Sequence, residues 1–208
     1  MAGSQQILYI YKVVADTGGA PCIWRGTLSL AICKPKIRRT ARKGDLIFGF
    51  GGKTYGGRLL YIAEVTEKPE VGDYYRTLRF AARPDCIYKD NDGVPERKPS
   101  ARYHAETDER KKDVGMRFEN AYVLLSENFR YFGGNGTDSY KQEFPSVKIL
   151  IEGLKQGHRV NHTSQLRNEL IALKDQVWSQ HNKMVLGSPT NRDRTQVCNR
   201  ETPSVECY

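Results

Sequence analysis

At 208 residues the chain can form one domain with a real core, or one domain with an appendage. Apolar residues make up 38% and charged residues 27%, the balance of a soluble globular protein, and no apolar run approaches the ~20 residues of a membrane helix. The net charge of +9 leaves two readings open: a polyanionic partner whose phosphates would meet lysine and arginine, or a basic protein with no such partner.

The elements follow in chain order. "ILYIYKVV", residues 7–14, is β-branched and aromatic and predicts a buried strand. "ADTGGAP" breaks it as a loop. "TLSLAIC" reads as the start of a helix capped by Thr27 or Ser29. Pro35 cannot sit inside that helix but suits the first turn of a new one, which predicts a short helix or turn from Lys34 to Ala41. "DLIFGF" and "RLLYIAEVTE" are strands, joined by the glycine-rich hairpin loop "GGKTYGG". "YRTLRFAARPDCIY" reads as a further strand region. Residues 89–115 are polar and aperiodic, a loop long enough to be functional or mobile. "NAYVLLSENFRYFG" resumes strand character, and Leu166, Leu170, Ile171, Leu173 and Val177 recur at helical spacing from Gln165 to Gln180 behind a Thr163 or Ser164 cap. The fold expected is α+β: a small curved, barrel-like sheet with short helices at its margin and a C-terminal helix. Residues 1–187 form the domain, and 188–208, with little to bury, form a disordered tail.

The five cysteines (Cys22, Cys33, Cys86, Cys198 and Cys207) are odd in number and form no CxxC, which argues against a disulfide framework or structural zinc. The N-terminus lacks a signal-peptide pattern, so a cytoplasmic protein is expected. "CKPKIRRTARKGDLIFGFGG" carries six cations between Lys34 and Lys43. Its Gly44-Asp45 step reads as a turn into a strand, whereas Lys34 and Arg38 read either as solvated or as one wall of an anion site. "GFGGKTYGG" lacks the GK[ST] signature of a phosphate-binding P-loop. Trp24, Phe50, Tyr55, Tyr74, Tyr75, Tyr131 and Phe132 lie near expected loops or strand ends, where a ring either packs in the core or stacks on a base. His158 and His162 are four apart but have no accompanying Cys or Glu, so no metal is assigned, and His158-Arg159 reads as an anion-contacting or structural pair. His104 and Asp113 read as solvated loop residues or as an acid/base pair.

"YKVVADTGGAPCIWRGTLSLAICKPKIRRTARKGDLIFGFGG", "YVLLSENFRYFGG" and "GHRVN" together resemble the nucleotide modification associated domain, type two, over most of residues 7–190. That bacterial and phage family is named for a genetic context rich in DNA base-modifying enzymes. More distantly, "ARKGDLIFGFGG" and "GRLLYIAEVTE" are similar to a passage of EVE domains, small curved barrels of the PUA-like superfamily that bind RNA or flipped modified bases. The histidine-bearing turn of EVE domains is replaced here by glycines, so their base-binding details do not carry over. The resemblance implies ligand-binding roles for Asp16, Trp24, Ser29, Lys34, Pro35, Arg38, Asp45 and Phe50, and also for Tyr131, Phe132, His158 and Arg159. In that picture Trp24 stacks on a base while Lys34 and Arg38 hold phosphate. The leading expectation is a non-enzymatic, cofactor-free binder of nucleic acid or a nucleotide that senses a modified base. One alternative is an amidohydrolase like the ASCH branch of that superfamily, acting on acylated cytosine with Lys34, Thr40 and Glu64. The other is a protein-binding subunit of a modification or defence system, docked by its tail.

Overall fold

In the computed structural model, residues 5–104, 107–155 and 157–191 are described. The apolar run after Gln6 forms strand β1 (Leu8–Val13), and the GD turn feeds β4 (Leu46–Gly51), which lies parallel to it. Between them the chain forms the hairpin β2 (Cys22–Trp24) and β3 (Thr27–Leu30), then the short helix α1 (Pro35–Thr40). "TLSLAIC" is therefore a strand rather than a helix start. A short apolar run does not distinguish the two, and pairing with β8 (Leu124–Ser126) settles it. β5 (Leu59–Glu64) returns antiparallel to β4, and β9 (Asn128–Tyr131) and the edge strand β10 (His158–Arg159) complete a five-stranded sheet in the order β10-β1-β4-β5-β9.

The fold is α+β with several small sheets, and among the described residues the large sheet stays open rather than closing into a barrel. One face carries Leu8, Ile10, Leu46, Phe48 and Ile62 and packs on α4 (Tyr140–Glu143), α5 (Pro145–Gly153) and α6 (Ser164–Gln180). The other carries Tyr9, Tyr11, Ile47, Tyr61 and Ala63 and is covered by the three-stranded sheet β2-β3-β8, by α1 and by α2 (Asp73–Arg76). Strand alternation sends neighbouring residues to opposite layers, so the site below is a property of one parity.

Three further differences from the sequence reading have physical reasons. The region 75–87 is not strand: α2 and a helical turn at Leu78–Phe80 bury Tyr74 and Phe80 against each other, with centroids 4.7 Å apart. The polar stretch 89–115 contains the hairpin β6 (Tyr88–Asn91) and β7 (Val94–Arg97) and helix α3 (Thr107–Asp113), which few apolar residues announce. Ser188–Asn191 pack on the domain rather than leaving it: Ser188 contacts Gly133, Pro189 contacts Gly18, and the Asn191 amide donates to the Asp16 carbonyl. The rest of the expected tail, 192–208, lies outside the described residues.

Candidate functional site

Registers across the large sheet align His158, Tyr11, Gly49, Tyr61 and Tyr131 in one cross-strand row. The row faces the small-sheet layer. Gly49 makes it possible: a Cβ there would lie 2.2 Å from the Tyr61 ring, which instead lies over the bare backbone and brings its hydroxyl 2.7 Å from that of Tyr11. Burial pushes both phenols up, so they are neutral hydrogen-bonding groups. At the β9 end the Tyr131 hydroxyl donates to Asp16 Oδ2 at 2.6 Å, and Asp16 has no solvent exposure. The Asp16 amide donates to the Tyr55 hydroxyl at 2.8 Å, and that hydroxyl donates to Asn191. The loop after β1 therefore folds down over the row.

The other end is cationic. Cys33 and Lys34 have φ values of 59° and 46°, a left-handed step that turns the chain into α1, with Pro35 supplying the first helical residue. The Lys34 ammonium lies 4.9 Å from the Tyr11 ring centroid, and among the described residues no hydrogen bond or ion pair engages it. Burial lowers its pKa, with Cys33 opposing. Burial, then Lys36 and Lys34, lower that of His158, whose ring packs 6.3 Å from Tyr9. Lys34 and Lys36 thus set the charge at this end, and His158 is neutral at physiological pH.

Of the predicted residues, Asp16, Lys34, Tyr131 and His158 share this row, with Pro35 holding Lys34 in place. Arg38 does not face it. Its guanidinium is fully buried, donating to the carbonyls of Cys33 (2.5 Å), Asp113 (3.1 Å) and Tyr122 (2.6 Å) and pairing with Asp113 at 3.4 Å. Phe50 and Phe132 lie in the helical layer, Phe50 edge-on to Tyr140. Asp45 accepts from the amides of Ile7 and Arg42, both at 2.8 Å, and so fixes the start of β4. Arg159 is exposed and donates to the Asn161 carbonyl at 3.0 Å. Ser29 belongs to a second buried network, donating to Asp85 at 2.5 Å and accepting from Arg83 at 2.6 Å. Trp24 lies over that network, half-buried between Arg25 and Arg83 at 4.3 and 5.8 Å. Lys34, Thr40 and Glu64 do not converge: Thr40 accepts from Tyr9 at 3.1 Å, whereas Glu64 shares the opposite parity with Ile62 and accepts from Asn128 at 2.8 Å. Tyr74 and Tyr75 are core.

A concavity of about 320 Å³ opens beside the Asp16 end, lined by Thr17, Gly18, Ile23, Arg102, Tyr103 and Tyr131 among others, a volume within the range of small-ligand pockets. Another, of about 400 Å³, lies where the glycine turn meets α4 and α5, with Lys12, Lys53, Lys141 and Lys148 facing Glu152. Sequence reasoning missed Tyr11 and Tyr61. The only local signal was their place in strongly β-forming runs, and the register that aligns them is non-local.

Neither a curated protein nor a solved structure matches the chain. A family model does, over residues 5–196, and the chain accordingly belongs to the nucleotide modification associated domain 2 family.

Proposed function

We propose that the protein binds a nucleotide or a nucleic-acid segment and recognises a modified base in a DNA-modification setting. The observation that carries this reading is the Lys34 ammonium, held half-buried at one end of a row of neutral phenols and, among the described residues, without an ion pair or hydrogen bond. A lysine in that state favours an anionic group from outside the chain, such as a phosphate. The phenols beside it can hydrogen-bond the edges of a base and pack against its plane. The strand, short helix, GD turn and paired strands also keep the likeness to EVE and other PUA-like domains as a working view of how such a base would enter. The family's name supports the modification context.

The test is fluorescence polarisation with modified and unmodified single- and double-stranded oligonucleotides and free nucleotides, across a salt series. Binding that weakens with salt is expected, with Lys34→Met reducing the salt slope by about one and weakening all sequences alike. Tyr61→Phe is expected to change the preference between modified and unmodified bases. No binding at low salt to any of these ligands would end the proposal.

A further inference from the structure

Beneath the cationic end lies a second arrangement, in which Cys33 meets His104 and Asp113, two residues nine apart on a distant segment. Cys33 Sγ is 3.3 Å from His104 Nε2, and Nδ1 of the same ring is hydrogen-bonded to Asp113 Oδ2. Asp113 Oδ1 accepts from the Cys33 amide at 2.8 Å and pairs with Arg38, and the Tyr88 hydroxyl donates to Oδ2 at 3.3 Å. A thiol on one ring nitrogen and an oriented carboxylate on the other is the nucleophile–base–orienter relation of cysteine acyl-transfer sites. Cys33, Lys34 and His104 all have left-handed backbones, with φ of 59°, 46° and 50°, and strain of this kind clusters where chemistry needs it. His104 is the chain neighbour of Tyr103, a wall of the 320 Å³ concavity, and Lys34 follows Cys33 directly. Burial disfavours the imidazolium, but Cys33 and Asp113 outweigh it and push its pKa up to about 11.

We propose that Cys33 is the nucleophile of a thiol acyl-transfer site, with His104 as its proton carrier and Asp113 positioning the imidazole, acting on an ester or amide. The substrate class, an acyl group borne by a nucleotide-like molecule held at Lys34, rests on the reading above; the thiol chemistry does not. With the proton of the thiol resting on His104 Nε2, Sγ adds to the carbonyl carbon, forming a C–S bond. Collapse of the tetrahedral adduct breaks the bond to the amine or alcohol, which leaves with the proton from His104. Water then adds to the thioester, giving His104 a proton. Collapse breaks the C–S bond and releases the carboxylic acid, with the proton from water kept on His104 beside the freed sulfur. The net change is hydrolysis, with no oxidant or reductant.

The experiment uses the full chain with Cys198→Ser and Cys207→Ser, native, at about pH 6, where an ordinary thiol of pKa ~8.5 is under ~1% thiolate. Iodoacetamide followed by peptide mapping should modify Cys33 ~10-fold or more faster than free cysteine, after allowing for the weaker intrinsic nucleophilicity of a stabilised thiolate. Cys22 and Cys86, buried like Cys33 but without its histidine contact, should lag. p-Nitrophenyl acetate should give a stoichiometric burst of p-nitrophenolate and an acetyl adduct on Cys33, absent in Cys33→Ala. His104→Asn should cut alkylation ~10-fold or more, with folding checked by circular dichroism, and His104→Gln serves if the first variant does not fold. An inert Cys33 in the folded protein, or equal rates with and without His104, overturns the proposal. Oligonucleotide binding by Cys33→Ala separates the two readings: binding with an inert thiol overturns this inference alone, and a reactive thiol without binding overturns the nucleotide reading alone.

Discussion

Replacing Arg38 asks whether the basic turn before β4 is a ligand wall or part of the frame. Arg38→Met keeps the apolar stem and removes the guanidinium, leaving three carbonyls without that donor and Asp113 without one of the two cationic partners it shares with His104. Each buried acceptor left unsatisfied costs about 1–3 kcal/mol, and breaking a buried ion pair from one side costs about 3–5 kcal/mol. These terms overlap, and losses above ~5 kcal/mol from one substitution are exceptional, so a destabilisation of about 3–5 kcal/mol is expected. Against a total stability of about 5–15 kcal/mol this is a large share, and at about 2–4 °C per kcal/mol it lowers Tm by roughly 6–20 °C. Urea titration followed by far-UV circular dichroism and fluorescence measures it. Arg38→Lys is the discriminating partner: lysine can hold a phosphate but cannot reach three carbonyls and a carboxylate with one planar fork. It is expected to lose more than about 2 kcal/mol. A loss under about 1 kcal/mol for both variants would refute the assignment of Arg38 to the frame.

Gly49→Ala should cost about 1–3 kcal/mol in chemical denaturation, because the added methyl meets the Tyr61 ring, and it should weaken any ligand bound at the tyrosine row; unchanged stability would mean the ring moves freely. Lys34→Met should have opposite effects on stability and binding: removing a half-buried cation that has no ion pair among the described residues raises stability by about 0.5–2 kcal/mol in thermal melts while oligonucleotide affinity falls. Glu169 accepts from the Ser146 amide (2.8 Å), the Ser146 hydroxyl (2.6 Å) and the Val147 amide (3.2 Å) at the start of α5. Burial acts to raise its pKa, but these hydrogen bonds outweigh it and hold the pKa below the ordinary value. Its contribution is therefore complete above that ordinary value and lost as pH falls through the lower folded one. Glu169→Gln should cost about 1 kcal/mol near neutrality, and the difference should vanish in acid.

The elements that were legible in the sequence are those whose cause is local. β1, β4 and β5 are runs of β-branched and aromatic residues, Gly44 takes a φ of 91° that suits it to the turn before β4, and Pro35 marks the first residue of α1. α6 follows its apolar period, with the Thr163 hydroxyl accepting from the Leu166 amide at 3.3 Å. β3 was misread because four apolar-polar residues fit either period, and α5 was missed because its helical stripe is only nine residues long.

The sequence by itself determined the strands around the basic turn, the C-terminal helix, the cationic surplus and the family resemblance, since each rests on neighbours in the chain or on residue type. Tertiary structure alone decided which residues meet. Cys33, His104 and Asp113 come together across separations of 71 and 80 residues, and nothing near Cys33 announces a partner. Parity and register put Tyr11, Gly49, Tyr61 and Tyr131 in one row and turned Phe50 to the other layer, because a shift of one residue in any strand exchanges the faces. Burial did the same for Lys34 and Arg38, four residues apart in one basic run: packing closed acceptors around the guanidinium and, among the described residues, left the ammonium without one.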